Sequence, residues 1–320
     1  SHTSCAPCPT TATLVCTYNH RITTPRYLLI DADQPLYYHI VSRCVRRAWL
    51  CGKHGQIDHS HRKRWLIERF KQLSKCFAID VHSYAIMSNH FHLVVYYDPT
   101  AAALWSDEDV VERWLQACPI RDKRGEIDPE PMAIKRAVLL GQPKEIERLR
   151  ASLGSLSVFM KLLKQPVARR ANMEDKCTGH FFEQRFYSAA LLDEKAILAA
   201  MAYVDLNPIR AKLARTLEQI EHSSAAERLR SGALHLPMAP IVSGLIKPRL
   251  KLKIMLSDYI AQLNWLIDGF QNAESQDESV ARWRRNVMTL QKRQRAFGSE
   301  SLLKSWVEIR GLQLREVPMS

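Results

Sequence analysis

Two spacings of apolar residues alternate along the chain. Leu36-Tyr37-Tyr38-His39-Ile40-Val41-Ser42 is a short run of aromatic and β-branched residues, which predicts a buried strand. At residues 60–77 the spacing changes, and Leu66, Phe70, Leu73 and Phe77 recur at steps of four, three and four. That is the stripe of an amphipathic helix, with Arg62, Lys63, Arg64, Arg69 and Lys71 on its other faces. Gly52 and Gly55 predict a turn between the two elements. Residues 79–87 predict a second strand, Ser88-Asn89 a two-residue polar turn, and the run His90-Phe91-His92-Leu93-Val94-Val95 a third strand that closes a hairpin.

Strand, helix, strand, strand is the first half of a ferredoxin-like α+β sandwich, an antiparallel sheet with helices packed on it. Asp98-Pro99 ends the hairpin, and residues 98–150 read as an insertion of one or two small helices, the first starting at Ser106 with Asp109 in its first turn. Residues 153–172 form another amphipathic stretch in which Pro166 is expected to kink or divide the helix. The aromatics at 179–187 look strand-like, and Asp193 is the expected cap of a helix whose core face is Ile197, Ala200, Met201 and Val204. Pro208 must end that helix, and it can begin a second one with Asn207 as cap.

Beyond Arg215 the pattern weakens. Residues 1–26 read as a poorly ordered leader, 27–230 as the main domain, 231–248 as a proline-bearing linker, and 249–320 as a basic, mainly helical C-terminal region. Helices are expected at 250–270 and 280–297, the second carrying Arg282, Arg284, Arg285, Lys292, Arg293 and Arg295.

Charge changes the picture. Lys and Arg number 46 against 33 Asp and Glu, a formal net charge of +13, which favours a polyanionic partner. That partner is nucleic acid or an anionic membrane surface; no apolar run is long enough to span a bilayer, and no membrane partner is expected. Eight cysteines without a regular framework read as reduced thiols of a cytoplasmic protein. Cys5, Cys8, Cys16 and His20 have the residue types of a zinc site, but their spacing matches no zinc module and their surroundings are Thr/Pro-rich.

The chemistry gathers at His90-Phe91-His92. Side chains two apart on a strand share a face, so both imidazoles project together while Phe91 and Leu93 enter the layer behind. Paired neutral imidazoles suit a divalent metal, and paired histidines on a half-buried sheet are the plainer alternative. Tyr203 and Asn207, four apart, share the face of a last helical turn. Either has a structural reading: Tyr203 as a core residue, Asn207 as a cap. Arg43, Arg46, Arg185 and Arg210 are candidate phosphate contacts. His39 and His82 read as sheet residues.

Three blocks together resemble the single-tyrosine HUH transposases and, within them, the REP-associated tyrosine transposase group. They are Tyr37-Tyr38-His39-Ile40-Val41-Ser42-Arg43, Ala85-Ile86-Met87-Ser88-Asn89-His90-Phe91-His92-Leu93, and Tyr203-Val204-Asp205-Leu206-Asn207-Pro208-Ile209-Arg210-Ala211-Lys212-Leu213. The resemblance covers residues 35–230, less the insertion, and leaves the two ends unaddressed.

The resemblance implies the HUH nuclease fold and an enzyme that nicks and rejoins single-stranded DNA at hairpins or palindromic repeats. Tyr203 would be the nucleophile, giving a 5′-phosphotyrosine. His90 and His92, with Asn207 as third ligand, would hold Mg²⁺ or Mn²⁺. Expected partners are single-stranded or hairpin DNA, with the chain acting as monomer or homodimer. The alternatives are a hairpin-DNA-binding protein that no longer cuts, or a replication initiator with the same active site.

Overall fold

Tyr38, Ile40, Leu93 and Val95 enter one core layer, while their strand neighbours Tyr37, Val94 and Tyr96 enter another, as period-two alternation requires. The computed structural model describes residues 25–45, 51–54, 56–245, 252–271, 278, 281, 290 and 294–312. In chain order, β1 (Leu36–Arg43) precedes a small hairpin, β2 (Lys53–His54) and β3 (Ile57–Asp58), then α1 (Arg62–Ser74), β4 (Ile79–Ile86) and β5 (His90–Tyr97). Helices α2 (Asp107–Ala117), α3 (Pro129–Leu140), α4 (Pro143–Leu153) and α5 (Leu156–Glu174) precede β6 (Tyr187–Leu191). Then come α6 (Glu194–Asp205), α7 (Asn207–Arg210), α8 (Ser224–Ser231), β7 (Val242–Ser243), α9 (Leu256–Gln271), β8 (Ala296–Phe297) and α10 (Glu300–Ile309).

The result is a mixed α+β fold around a six-stranded sheet ordered β7-β4-β5-β1-β6-β8, antiparallel except at β6–β8. Helices α1 to α5 and α10 bury their apolar faces in the layer with Tyr38, and α6, α8 and α9 in the layer with Tyr37. Among the described residues no helix is long and apolar enough to cross a membrane.

Several local expectations change in context. The insertion holds three helices, α2 to α4, the first fixed by a capping box in which Ser106 and Asp109 each bond the other's backbone N–H. Pro166 does not divide α5. Proline leaves the carbonyl four residues earlier, that of Leu162, without its helical donor, and Arg69 Nε–H supplies one at 3.1 Å. The segment before β6 is irregular rather than a strand, meeting the end of β1 through one bridge, Cys44 with Phe182.

The stretch read as a linker supplies β7 to the sheet edge next to β4. Gly244 makes that approach feasible, since a Cβ there would lie 1.9 Å from the Phe77 carbonyl oxygen. The basic helix expected at 280–297 falls largely outside the described residues, and its end, Ala296–Phe297, is strand β8. Cys5, Cys8, Cys16, His20 and Arg46 also lie outside them.

Candidate active site

The site lies at one end of the sheet, where three stretches distant in sequence meet. The turn Ser88-Asn89 closes the β4–β5 hairpin, with Met87 N–H donating to the His90 carbonyl at 2.8 Å. Gly52 packs directly on this turn, since a Cβ there would lie 2.3 Å from Ser88 Cβ. Next, β1 pairs with β5 so that Arg43 is opposite His90 and Val41 opposite His92. The third stretch is α6, capped by Asp193, whose carboxylate accepts from Ala196 N–H at 2.8 Å. Its apolar residues Ile197, Ala200, Met201 and Val204 sink into the core, and Tyr203 lies beside the histidines.

Asp205 fixes the end of α6. Its fully buried carboxylate accepts from Tyr259 Oη at 2.7 Å, Ala225 N–H at 2.9 Å and the Ser224 hydroxyl, which ties α8 and α9 to the turn after Tyr203. Burial raises its pKa, and Arg228, Ser224, Tyr259 and Ala225 act in the opposite direction.

Around His92 the contacts are close. Its Nδ1 is 3.0 Å from His39 Nε2, with the two rings within 10° of parallel. Its Nε2 is 2.9 Å from Asn207 Nδ2. The His90 ring stands 4.8 Å away, nearly perpendicular, with Nδ1 2.6 Å from Asn89 Oδ1. The Tyr203 ring lies 5.6 Å from the rings of both His92 and His39, edge-on, and the Arg210 guanidinium sits 4.7 Å from the centre of the Tyr203 ring. Burial lowers the pKa of all three histidines, His39 to about 3, His90 to about 4 and His92 well below the usual range. Arg43 adds to the effect at His90, and His90, His39, Arg43 and Arg210 add to it at His92. All three are neutral imidazoles at neutral pH.

Tyr203, His90, His92, Asn207, Arg43 and Arg210 therefore come together. Arg185 does not: it is exposed on the segment before β6, near Arg26. Asn207 is not a side-chain cap. Leu206 holds the cap position of α7 without a side-chain bond, and the Asn207 amide turns to His92 instead. His39 belongs to the cluster although its sequence position reads as an ordinary sheet residue. Only the β1–β5 register, which sets His39 opposite Val94 and diagonal to His92, brings it there.

The donor set fits a divalent cation. Neutral His90 and His92 offer lone pairs, and adjacent ligands of a small octahedral ion lie about 3 Å apart. The Asn207–His92 separation of 2.9 Å is compatible with this spacing, and a ligand role for Asn207 would require its Oδ1 where Nδ2 now faces His92. Metal-bound histidines hold their second nitrogen in a hydrogen bond, as His90 does with Asn89 and His92 with His39. A second group, His59, Glu174 and Asp175, brings ligand atoms within 4.8 Å of one another where the residues before α1 meet the end of α5. There Arg62 already bonds Glu174 at 2.9 Å and Asp175 at 3.0 Å, so a guanidinium neutralises the carboxylates.

No protein-family model matches the chain. No curated protein matches it either. Among solved structures, a REP-associated tyrosine transposase bound to a REP hairpin is similar at 10% identity and a TM-score of 0.33, over 69% of this chain and 92% of that one.

Proposed function

We propose that the chain is a transposase-like enzyme that binds DNA and nicks and rejoins single strands beside hairpins, using Tyr203 as nucleophile. The observation that carries this reading is the convergence of Tyr203, from the last turn of α6, and Asn207, from the start of α7, on His92 of a distant hairpin. The order β4-β5-β1-β6 with α1 packed on the sheet supports reading the core as the ferredoxin-like sandwich of HUH nucleases.

A divalent cation at His90, His92 and Asn207, Mg²⁺ or Mn²⁺, would supply Lewis acidity toward a non-bridging oxygen of the scissile phosphate. The chain's own groups do the rest. The Tyr203 hydroxyl attacks phosphorus as the bond to the 3′ oxygen breaks, leaving a 5′-phosphotyrosine and a free 3′-OH whose proton comes from solvent in exchange for the phenol's. The phosphotyrosine conserves the bond energy for rejoining. Arg210, stacked on the Tyr203 ring, holds that ring in place and brings positive charge to the phosphate, and Arg43 does the same beside His90. Burial keeps both histidine ligands unprotonated at neutral pH, which metal binding requires.

The net charge of +13 favours a second reading, hairpin binding without cleavage. One assay separates the two. A labelled single-stranded hairpin incubated with Mn²⁺ is expected to give a denaturant-resistant covalent adduct that Tyr203→Phe abolishes. Tight binding with no adduct across a panel of hairpins would leave only the second reading.

A further inference from the structure

Away from the tyrosine, a cavity of about 340 Å³ opens between α5 and the segment before β6. Its apolar wall is Phe181, Phe182 and Phe186, and its cations are Arg26, Lys161 and Lys164. Arg26 lies 4.1 Å from the centre of the Phe186 ring and reaches Ser157 Oγ at 3.3 Å. Lys164 sits 5.7 Å from the Phe182 ring centre and donates to the Glu183 carbonyl at 2.9 Å. Glu183 also lines the cavity, yet among the described residues neither it nor any of the three cations forms an ion pair.

Three cations with a single carboxylate among them are only partly neutralised. Burial and then Arg26 push the Lys164 ammonium down to about 8 although Glu183 acts in the opposite direction, and Arg185 bears on Arg26 in the lowering sense. Such a group is relieved by an anion, and the phenylalanine wall asks for a flat, unsaturated body attached to that anion. A nucleotide carries both, and it fits a cavity of this size.

The cavity is linked to the candidate active site through the backbone. Val45 N–H donates to the Phe181 carbonyl at 3.0 Å, and Glu183 N–H to the Arg43 carbonyl at 2.8 Å. Arg43 is the register partner of His90. Its aromatic wall belongs to the opposite core layer from Tyr203, so the end of β1 is the edge over which a strand would pass from one to the other.

We propose that this cavity holds one unpaired nucleotide of the DNA strand, its phosphate on Lys164 and Arg26 and its base against Phe181, Phe182 and Phe186. The proposal rests on the DNA-processing reading above and adds a second contact point for the strand. It separates a hairpin with an unpaired flank from a blunt one.

The test uses the full chain without added metal and hairpins whose flanks carry 5-iododeoxyuridine at successive positions. Irradiation is expected to crosslink one flank position to the peptide containing Phe181 to Phe186. Lys164→Met, which keeps the apolar stem, and Arg26→Gln should each lower that crosslink about tenfold while blunt-hairpin binding stays unchanged. Circular dichroism checks that both variants fold, and a misfolded one is replaced by Lys161→Met at the cavity mouth. Bound DNA that crosslinks elsewhere at every position, or a crosslink indifferent to the substitutions, overturns the cavity assignment alone. No DNA binding by the wild type overturns the functional reading with it. Micromolar binding of dTMP with no flank crosslink would assign the cavity to a free mononucleotide and end the strand proposal.

Discussion

His39 Nε2 lies 3.0 Å from His92 Nδ1, and the other nitrogen of His39 has no hydrogen-bond partner among the described residues. A consistent proton count follows. With Asn207 Nδ2–H donating to His92 Nε2, His92 donates from Nδ1 to His39 Nε2, and His39 carries its own proton on the unpartnered Nδ1. In this arrangement His39 would hold His92 in the tautomer whose Nε2 lone pair can serve a cation.

Replacing His39 with Ala should therefore weaken Mn²⁺ binding by roughly 10–100-fold, the usual effect of removing a hydrogen-bond partner from a metal-bound histidine. Free Mn²⁺ measured by electron paramagnetic resonance reads this directly, without DNA. His39→Gln, whose amide oxygen can accept the same proton, should recover part of the affinity. Equal loss in both variants would point to packing alone.

His90→Ala should abolish adduct formation and leave most hairpin affinity intact, because phosphate contacts dominate affinity. Tyr203→Phe should do the same and change stability by no more than about 1 kcal/mol, since it removes only a hydroxyl. Gel-shift titration beside the adduct assay separates binding from chemistry. Parallel loss of both activities in His90→Ala would mark that histidine as structural.

Asp205→Ala would leave Ser224, Tyr259, Arg228 and the Ala225 N–H facing an empty buried site. Loss of one member of such a network costs about 3–5 kcal/mol. Urea unfolding should show this as a lower midpoint with an unchanged slope. A loss below about 1 kcal/mol would mean that α8 and α9 are held by their apolar contacts instead.

His82 gives the chain a defined acid sensitivity. It occupies the bulge of β4, beside Tyr37 at 5.0 Å between ring centres, and neither ring nitrogen has a hydrogen-bond partner among the described residues. Burial first, and Arg228 second, lower its pKa from 6.5 to about 3. As pH falls the unfolded chain takes up the proton first. The stabilisation is therefore complete above pH 6.5 and is lost toward pH 3, at up to about 1.4 kcal/mol per pH unit. Urea midpoints at pH 7 and pH 5 should differ less in His82→Leu than in the wild type, and equal differences would exclude His82 as the source.

Affinity for a hairpin should fall linearly with the logarithm of salt concentration, and Arg210→Gln should reduce that slope by roughly one unit if Arg210 meets a phosphate. An unchanged slope would leave Arg210 as a support of the Tyr203 ring only.

Local spacing specified the elements whose fate depends on near neighbours. The β4–β5 hairpin, the α1 stripe, the Ser106 and Asp193 caps and the shared face of His90 and His92 all follow from periods and capping side chains within a few residues of one another. Remote partners decided the rest. Pro166 stays within α5 because Arg69 serves the Leu162 carbonyl, and Asn207 faces His92 because Leu206 occupies the cap position of α7. His39 joins the site through strand register, and residues beyond 230 enter the sheet as β7 and β8. In each case a polar group or a sheet edge needs a partner, and nothing in its neighbours along the chain says which distant segment will supply it.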